Sequence, residues 1–150
     1  MRLAATIAAL SFFLAACHEA PTSPYTRVSG PAPSGLPVTL RIDMSSGTPA
    51  GPAIVTEGDS VTASAKFGVS GCLDYTASAG TVGGSVVITI IETAPYVPRV
   101  CAAIAATAVF HAIVRPAPRG AYAVVLRERM EWPSDGPVER EWVRGSVALP

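Results

Sequence analysis

From Leu36 onward the chain is a succession of short runs that alternate apolar and polar residues, each closed by a cluster of Gly, Pro, Asp or Ser. Period-two alternation sends every second side chain to the same face, which suits a strand buried on one side and gives a long helix no stripe to bury. Val38-Thr39-Leu40-Arg41-Ile42-Asp43-Met44 is the first such run. Ser60 to Gly68 repeats the pattern, with Val61, Ala63, Ala65 and Phe67 on one face. Ala53 to Thr56 reads as a short strand, and Cys72 to Thr76 is rich in strand formers. Ser85 to Thr93, SVVITIIET, is the densest in β-branched residues and the strongest strand signal. The connections Ser45–Pro52, Glu57-Gly58-Asp59-Ser60, Gly80–Gly84 and Ala94–Arg99 carry the turn chemistry.

Val100 to Val114 reads mostly as strand. Val109 to Val114 favours a strand, whereas Ala102 to Ala108 is compatible with either helix or strand on propensity. Tyr122 to Trp132 and Val138 to Leu149 bracket the turn signal Pro133-Ser134-Asp135-Gly136 and form a hairpin. One register sets Arg129 opposite Glu139, Glu128 opposite Arg140, Arg127 opposite Glu141 and Leu126 opposite Trp142. Each opposed charge pair contributes roughly 0.2–1 kcal/mol. Charges on such a pair commonly deter edge-to-edge aggregation. As a recognition edge, the same hairpin would use Trp132, Arg140 and Trp142 as candidate partner-binding residues.

Gly120-Ala121-Tyr122-Ala123-Val124 resembles the start of a late strand in small β-sandwiches, where a tyrosine packs at the corner between the sheets. The resemblance is to the tyrosine corner of immunoglobulin-like folds, with Tyr122 as that residue. The spacing of Cys72 and Cys101 is too short for the usual antibody-type bridge, so only the architecture carries over. The expected fold is all-β: an immunoglobulin-like sandwich of about seven or eight antiparallel strands over residues 36–150.

The first seventeen residues set location. Met1-Arg2 is a positive start, Leu3 to Leu14 is apolar but for Thr6 and Ser11, and Ala15-Ala16 lead into Cys17. This order is that of a secretory signal peptide. A fifteen-residue helix at ~1.5 Å per residue falls short of the ~30 Å hydrocarbon core, and His18-Glu19-Ala20-Pro21 breaks the run. Ordinary cleavage after Ala16 would put bulky Leu14 where a small residue is preferred. Leu14-Ala15-Ala16-Cys17 resembles the lipobox of bacterial lipoproteins. That resemblance implies removal of residues 1–16 and acylation of Cys17, the palmitate-type anchor of a cell-envelope protein. His18 after the cysteine fits the outer membrane of a Gram-negative envelope. Residues 17–35, rich in Pro, Ser and Gly, are expected to be a disordered tether below the domain.

Removing 16 of the 150 residues leaves 134, enough for one domain and a tail. Acidic and basic side chains balance at 11 each, which argues against nucleic acid as partner. With Cys17 taken by lipid, Cys72 and Cys101 are an even pair in an exported chain. A disulfide is therefore expected, worth about 3.6 kcal/mol on the chain-entropy model. A reactive or metal-binding pair is disfavoured, because Cys101 has no basic neighbour to lower its pKa.

No motif supports an enzyme. The histidines are His18, in the tether, and His111, among Val109, Phe110 and Ile113, so neither catalytic residues nor a metal site is expected, and no cofactor. The Gly80–Gly84 turn lacks the Lys-Ser/Thr of a phosphate loop. The reading is a lipid-anchored envelope protein acting as a non-catalytic binding or structural module toward another envelope protein. Two alternatives stand beside it: an envelope hydrolase using Asp74, His111 or Glu92, and a carrier with a pocket between its sheets.

Overall fold

The computed structural model describes residues 24–44, 51–94, 106–134 and 136–150. Nine strands follow in chain order: β1 (Thr26–Arg27), β2 (Val38–Asp43), β3 (Ala53–Glu57), β4 (Ser60–Val69), β5 (Asp74–Val82), β6 (Ser85–Thr93), β7 (Ala106–Val114), β8 (Gly120–Met130) and β9 (Val138–Leu149). They form a five-stranded sheet in the order β1-β9-β8-β6-β5 and a four-stranded sheet in the order β2-β7-β4-β3. No helix occurs among the described residues. The expected all-β sandwich is what the chain forms.

The core lies between the sheets. Val61, Ala63, Ala65 and Phe67 of β4 and Ala108, Phe110, Ala112 and Val114 of β7 meet Val86, Ile88 and Ile90 of β6 and Val124 and Leu126 of β8. The alanines leave room for two rings: Phe67 and Phe110 stack with centroids 4.1 Å apart. Ala106 to Ala108 belong to β7, because pairing with β4 outweighs alanine's helical preference. Residues 102–105, the rest of that open choice, lie outside the described residues.

Tight turns fix the registers. Gly83 and Gly84 join β5 to β6 in a two-residue loop with φ of +54° and +78°. Positive φ at both central positions is what a type I′ hairpin requires. The β8–β9 hairpin sets Arg127, Glu128 and Arg129 opposite Glu141, Arg140 and Glu139, as the charge pattern predicted. The predicted Leu126–Trp142 pair does not form. A β-bulge follows Arg127–Glu141, so Leu126 faces Val143 and Trp142 is the extra residue. The bulge lets Trp142 and Val143 both pack against the core cluster, which strict alternation forbids.

Three further expectations are corrected. Among the described residues the strands number nine, and β6 pairs with β8 in parallel rather than antiparallel. Parallel neighbours need a crossover, and β7, lying in the opposite sheet, supplies it. With β5 on its other side, β6 is central and buried on both faces, which accounts for its unbroken apolar run. Tyr122 packs at the edge of the core, and its buried hydroxyl has no hydrogen-bond partner among the described residues.

The third correction concerns the tether. Residues from Tyr25 onward belong to the domain. Thr26 and Arg27 pair with Glu139 and Val138, and Val28 N–H donates to the Pro137 carbonyl at 3.1 Å. The segment then crosses the outer face of the five-stranded sheet as a strap. Gly30 O accepts from Arg129 Nη2 at 2.7 Å, Ser34 lies over Gly80, and Leu36 N–H donates to Ala79 O at 2.9 Å. Its prolines and glycines point to disorder on composition, but such a segment can satisfy its backbone on groups a sheet supplies. Under it, Val87, Thr89 and Val125 are buried although they face away from the core cluster.

Candidate functional site

Two clusters of polar side chains could carry function. The first sits at the sandwich end where β6 and β8 finish. Glu92 continues the inward series Val86, Ile88, Ile90, and Glu128 continues Val124, Leu126, so strand parity aims both carboxyls between the sheets. Both are buried, at 4% and 3% exposure. They share a hydrogen bond, which two carboxyls can do only when one is protonated. Burial, then the bond to Glu128 and its charge, pushes Glu92 up to about 7. The Trp132 indole N–H, 3.4 Å from Glu92 Oε2, opposes that rise.

Aromatic donors close the pair. Glu128 Oε2 accepts from the Tyr25 hydroxyl at 2.7 Å and from Trp142 Nε1 at 3.0 Å. Burial, followed by the bond to Glu128, pushes the Tyr25 phenol up to about 12. Arg140 lies 4.0 Å from the Trp142 ring centroid and 5.8 Å from that of Tyr25, within cation–π range. Trp142 in turn stacks on Phe67 at 5.1 Å. Tyr75, opposite Glu92 in the ladder, packs on Phe110 and accepts from Ser70 N–H at 2.9 Å. The arrangement is a proton-sharing pair sealed by indoles and a phenol, and it ties strap, β6, β8 and β9 together.

The second cluster lies on the outer face of the four-stranded sheet. Ser64 and His111 are directly opposite in the β4–β7 ladder, with Ser64 Oγ 2.8 Å from His111 Nδ1. His111 Nε2 is 3.3 Å from Asp43 Oδ2, and Arg41 Nε donates to Asp43 Oδ1 at 3.0 Å. Serine, imidazole and carboxylate are in line, the residue types of nucleophilic hydrolysis. The surface is an open sheet, however, and β4 and β7 each have neighbours on both sides. Their backbone N–H groups are committed to the ladders and do not aim at a developing oxyanion.

The hairpin charges other than Glu128 and Arg140 lie on the strap side. Arg129, 4% exposed in its side chain, pairs with Glu131 at 2.9 Å and Glu139 at 3.2 Å besides holding Gly30 O. Arg127 also reaches Glu139, at 3.2 Å. Arg144 pairs with Glu141 at 2.8 Å, and that hydrogen bond holds the Glu141 carboxyl below its usual range.

Of the residues singled out from sequence, Trp132 is 48% exposed. Arg140 and Trp142 are engaged within the end cluster, which disfavours them as a free recognition edge. Asp74 is exposed at the start of β5, and Glu92 and His111 belong to separate clusters. Cys72 lies in the turn before β5, its N–H donating to Ser70 Oγ at 3.2 Å; Cys17 and Cys101 lie outside the described residues. Sequence reading missed Glu128 as the partner of Glu92, and Ser64 as the neighbour of His111. The carboxylates were detectable: each sits one alternation step beyond an inward apolar series. Among the described residues no group of three or more His, Cys, Asp or Glu could hold a metal ion. No protein-family model, curated protein or solved structure matches the chain.

Proposed function

We propose that the chain is a lipid-anchored cell-envelope module that binds or braces another envelope protein and performs no chemistry of its own. The observation that carries this reading is the unequal treatment of the two outer sheet faces. The strap covers the five-stranded face, whereas the four-stranded face keeps Val55, Lys66, Arg41 and Thr107 exposed around the half-buried Val109, Ile113 and His111. A rigid sheet with mixed apolar and polar groups suits a protein partner. The anchor rests on the lipobox-like Leu14-Ala15-Ala16-Cys17, and a Cys72–Cys101 disulfide goes with export.

Photo-cross-linking in intact bacterial membranes tests the reading. A photoreactive residue in place of Val55 or Lys66 should capture one defined protein, while one in place of Val82, at the β5–β6 turn, should not. Intact mass of the purified chain, with and without reduction and alkylation, reads the acyl groups and the disulfide. Equal, diffuse labelling from both positions would sink the partner face.

The Ser64–His111–Asp43 alignment favours one alternative, a hydrolase. Covalent labelling of Ser64 by a fluorophosphonate, lost in Ser64→Ala and in His111→Ala, would replace the first reading with that one.

A further inference from the structure

Because the strap belongs to the domain from Tyr25 onward, it limits how far the domain can stand from an anchor at Cys17. Tyr25 sits beside Arg140, two residues from the start of β9 at Val138 and nine from its end at Leu149. At ~3.3 Å per strand residue those distances are about 7 Å and about 30 Å. Eight residue steps separate Cys17 from Tyr25. As coil they span about 16 Å, and fully extended about 28 Å. A membrane anchor at Cys17 therefore brings the Val138 end within easy reach of the bilayer, whereas the Leu149 end reaches it only with the tether almost fully extended.

The Val138 end also turns two large apolar side chains outward, against the single exposed Val82 among the described residues at the far end. Trp132 leaves the end of β8 48% exposed, and Met44 leaves the end of β2 59% exposed. Beside Met44 is a recess of about 210 Å³ lined by Ile42, Val69 and Tyr75. Tyr75 faces Glu92 across the ladder, and Glu92 accepts from Trp132, so the recess and the indole belong to one surface. Tryptophan and tyrosine prefer the headgroup level of a bilayer, where the ring is apolar and its N–H or O–H still finds a polar partner.

We propose that this end of the sandwich rests on the bilayer that holds the anchor, with Trp132 at the headgroup level and Met44 beside it. The contact rests on the lipid-anchor reading. A short tether keeps the effective concentration of the surface high, so one indole and one thioether suffice for a contact they could not hold alone. The sandwich then stands with its long axis away from the membrane and its open sheet face turned sideways, toward neighbours in the same envelope.

The test uses the full chain expressed in bacteria, purified from membranes and reconstituted into phosphatidylcholine vesicles. Half of the vesicles carry acyl chains brominated near the headgroup. The acylated protein is expected to lose tryptophan emission in brominated vesicles relative to plain ones. That loss should vanish in Trp132→Phe, whose remaining emitter, Trp142, is packed on Phe67. Met44→Lys, which leaves both indoles in place, should reduce the loss, whereas Val82→Lys at the far end should not. An acylated, vesicle-bound chain with equal emission in both vesicle types overturns the docking and leaves the anchor standing. Full quenching retained in Trp132→Phe overturns it as well. A chain whose intact mass carries no acyl group overturns the anchor reading, and the docking with it.

Discussion

Glu92 and Glu128 share a hydrogen bond at the end of the core, one on each of two parallel neighbouring strands, and the second of them holds the first residue of the strap through the Tyr25 hydroxyl. Two carboxyls this deeply buried cannot both ionise cheaply, since each charge is desolvated and repels the other. The pair therefore keeps a proton at pH values where an exposed glutamate has lost it. Its donors come from three separate places, Tyr25 before β1, Trp132 after β8 and Trp142 on β9, so its protonation bears on how firmly those elements close.

The sign of the pH dependence follows from Glu92. Its folded value is raised from 4.5 to about 7, so between those values the native state binds more proton than the unfolded chain. That contribution is fully present below the unfolded value and is lost as pH rises through the folded one, by up to about 3 kcal/mol. Urea midpoints at constant ionic strength should be lower at pH 8 than at pH 5, with unchanged slope. A midpoint that rises across that interval would contradict the buried shared proton.

Glu92→Gln should remove that dependence. The amide stays neutral, keeps an oxygen for the Trp132 N–H and can donate to Glu128. The variant is expected to be more stable than the parent at pH 8 and close to it at pH 5, measured by the same titrations. Equal stability changes at both pH values would assign the effect to packing rather than to the proton.

The two tryptophans should behave differently, although sequence reading paired them as anchors. Trp142 stacks on Phe67 and bonds Glu128, so Trp142→Ala is expected to destabilise by about 3 kcal/mol and to free a buried carboxylate acceptor. Trp132, half exposed, should cost under about 1 kcal/mol as Trp132→Ala. Thermal melts of the two variants separate these outcomes. Comparable losses would mean that the indole–Glu92 bond at 3.4 Å matters more than burial does.

What the sequence made legible was whatever depends on local pattern. Alternation located the strands, the Gly80–Gly84 turn signal marked the β5–β6 connection although Gly80 to Val82 belong to β5, and complementary charges set three pairs of the β8–β9 register. What it hid depends on contacts between distant segments. The bulge at Trp142 breaks alternation for the sake of Phe67 on the other sheet, and no local signal announces it. The parallel β6–β8 pair depends on β7 crossing to the opposite layer. The strap looked like disorder because its own residues bury little; its partners, Arg129, Ala79 and Gly80, lie far along the chain.

Gly80 is the sharpest test of the strap. A Cβ built there would lie 2.5 Å from Ser34 O and 2.7 Å from Ser34 N, both backbone atoms that cannot swing aside as a side chain could. Glycine is thus needed for close approach, and its φ is not in the left-handed region. Gly80→Ala must push the strap off the sheet near residues 33–34, and the adjoining Leu36–Ala79 bridge is the next contact to loosen. The sandwich core between the sheets does not touch that side, so the fold should persist with a loss of about 1–3 kcal/mol. Hydrogen exchange should speed up at the Leu36 amide, which donates to Ala79 O, while amides at the centre of β4 and β7 keep their protection. Unchanged exchange at Leu36 would mean that the strap does not depend on this close approach, and that Val87 and Val125 owe their burial to something other than it.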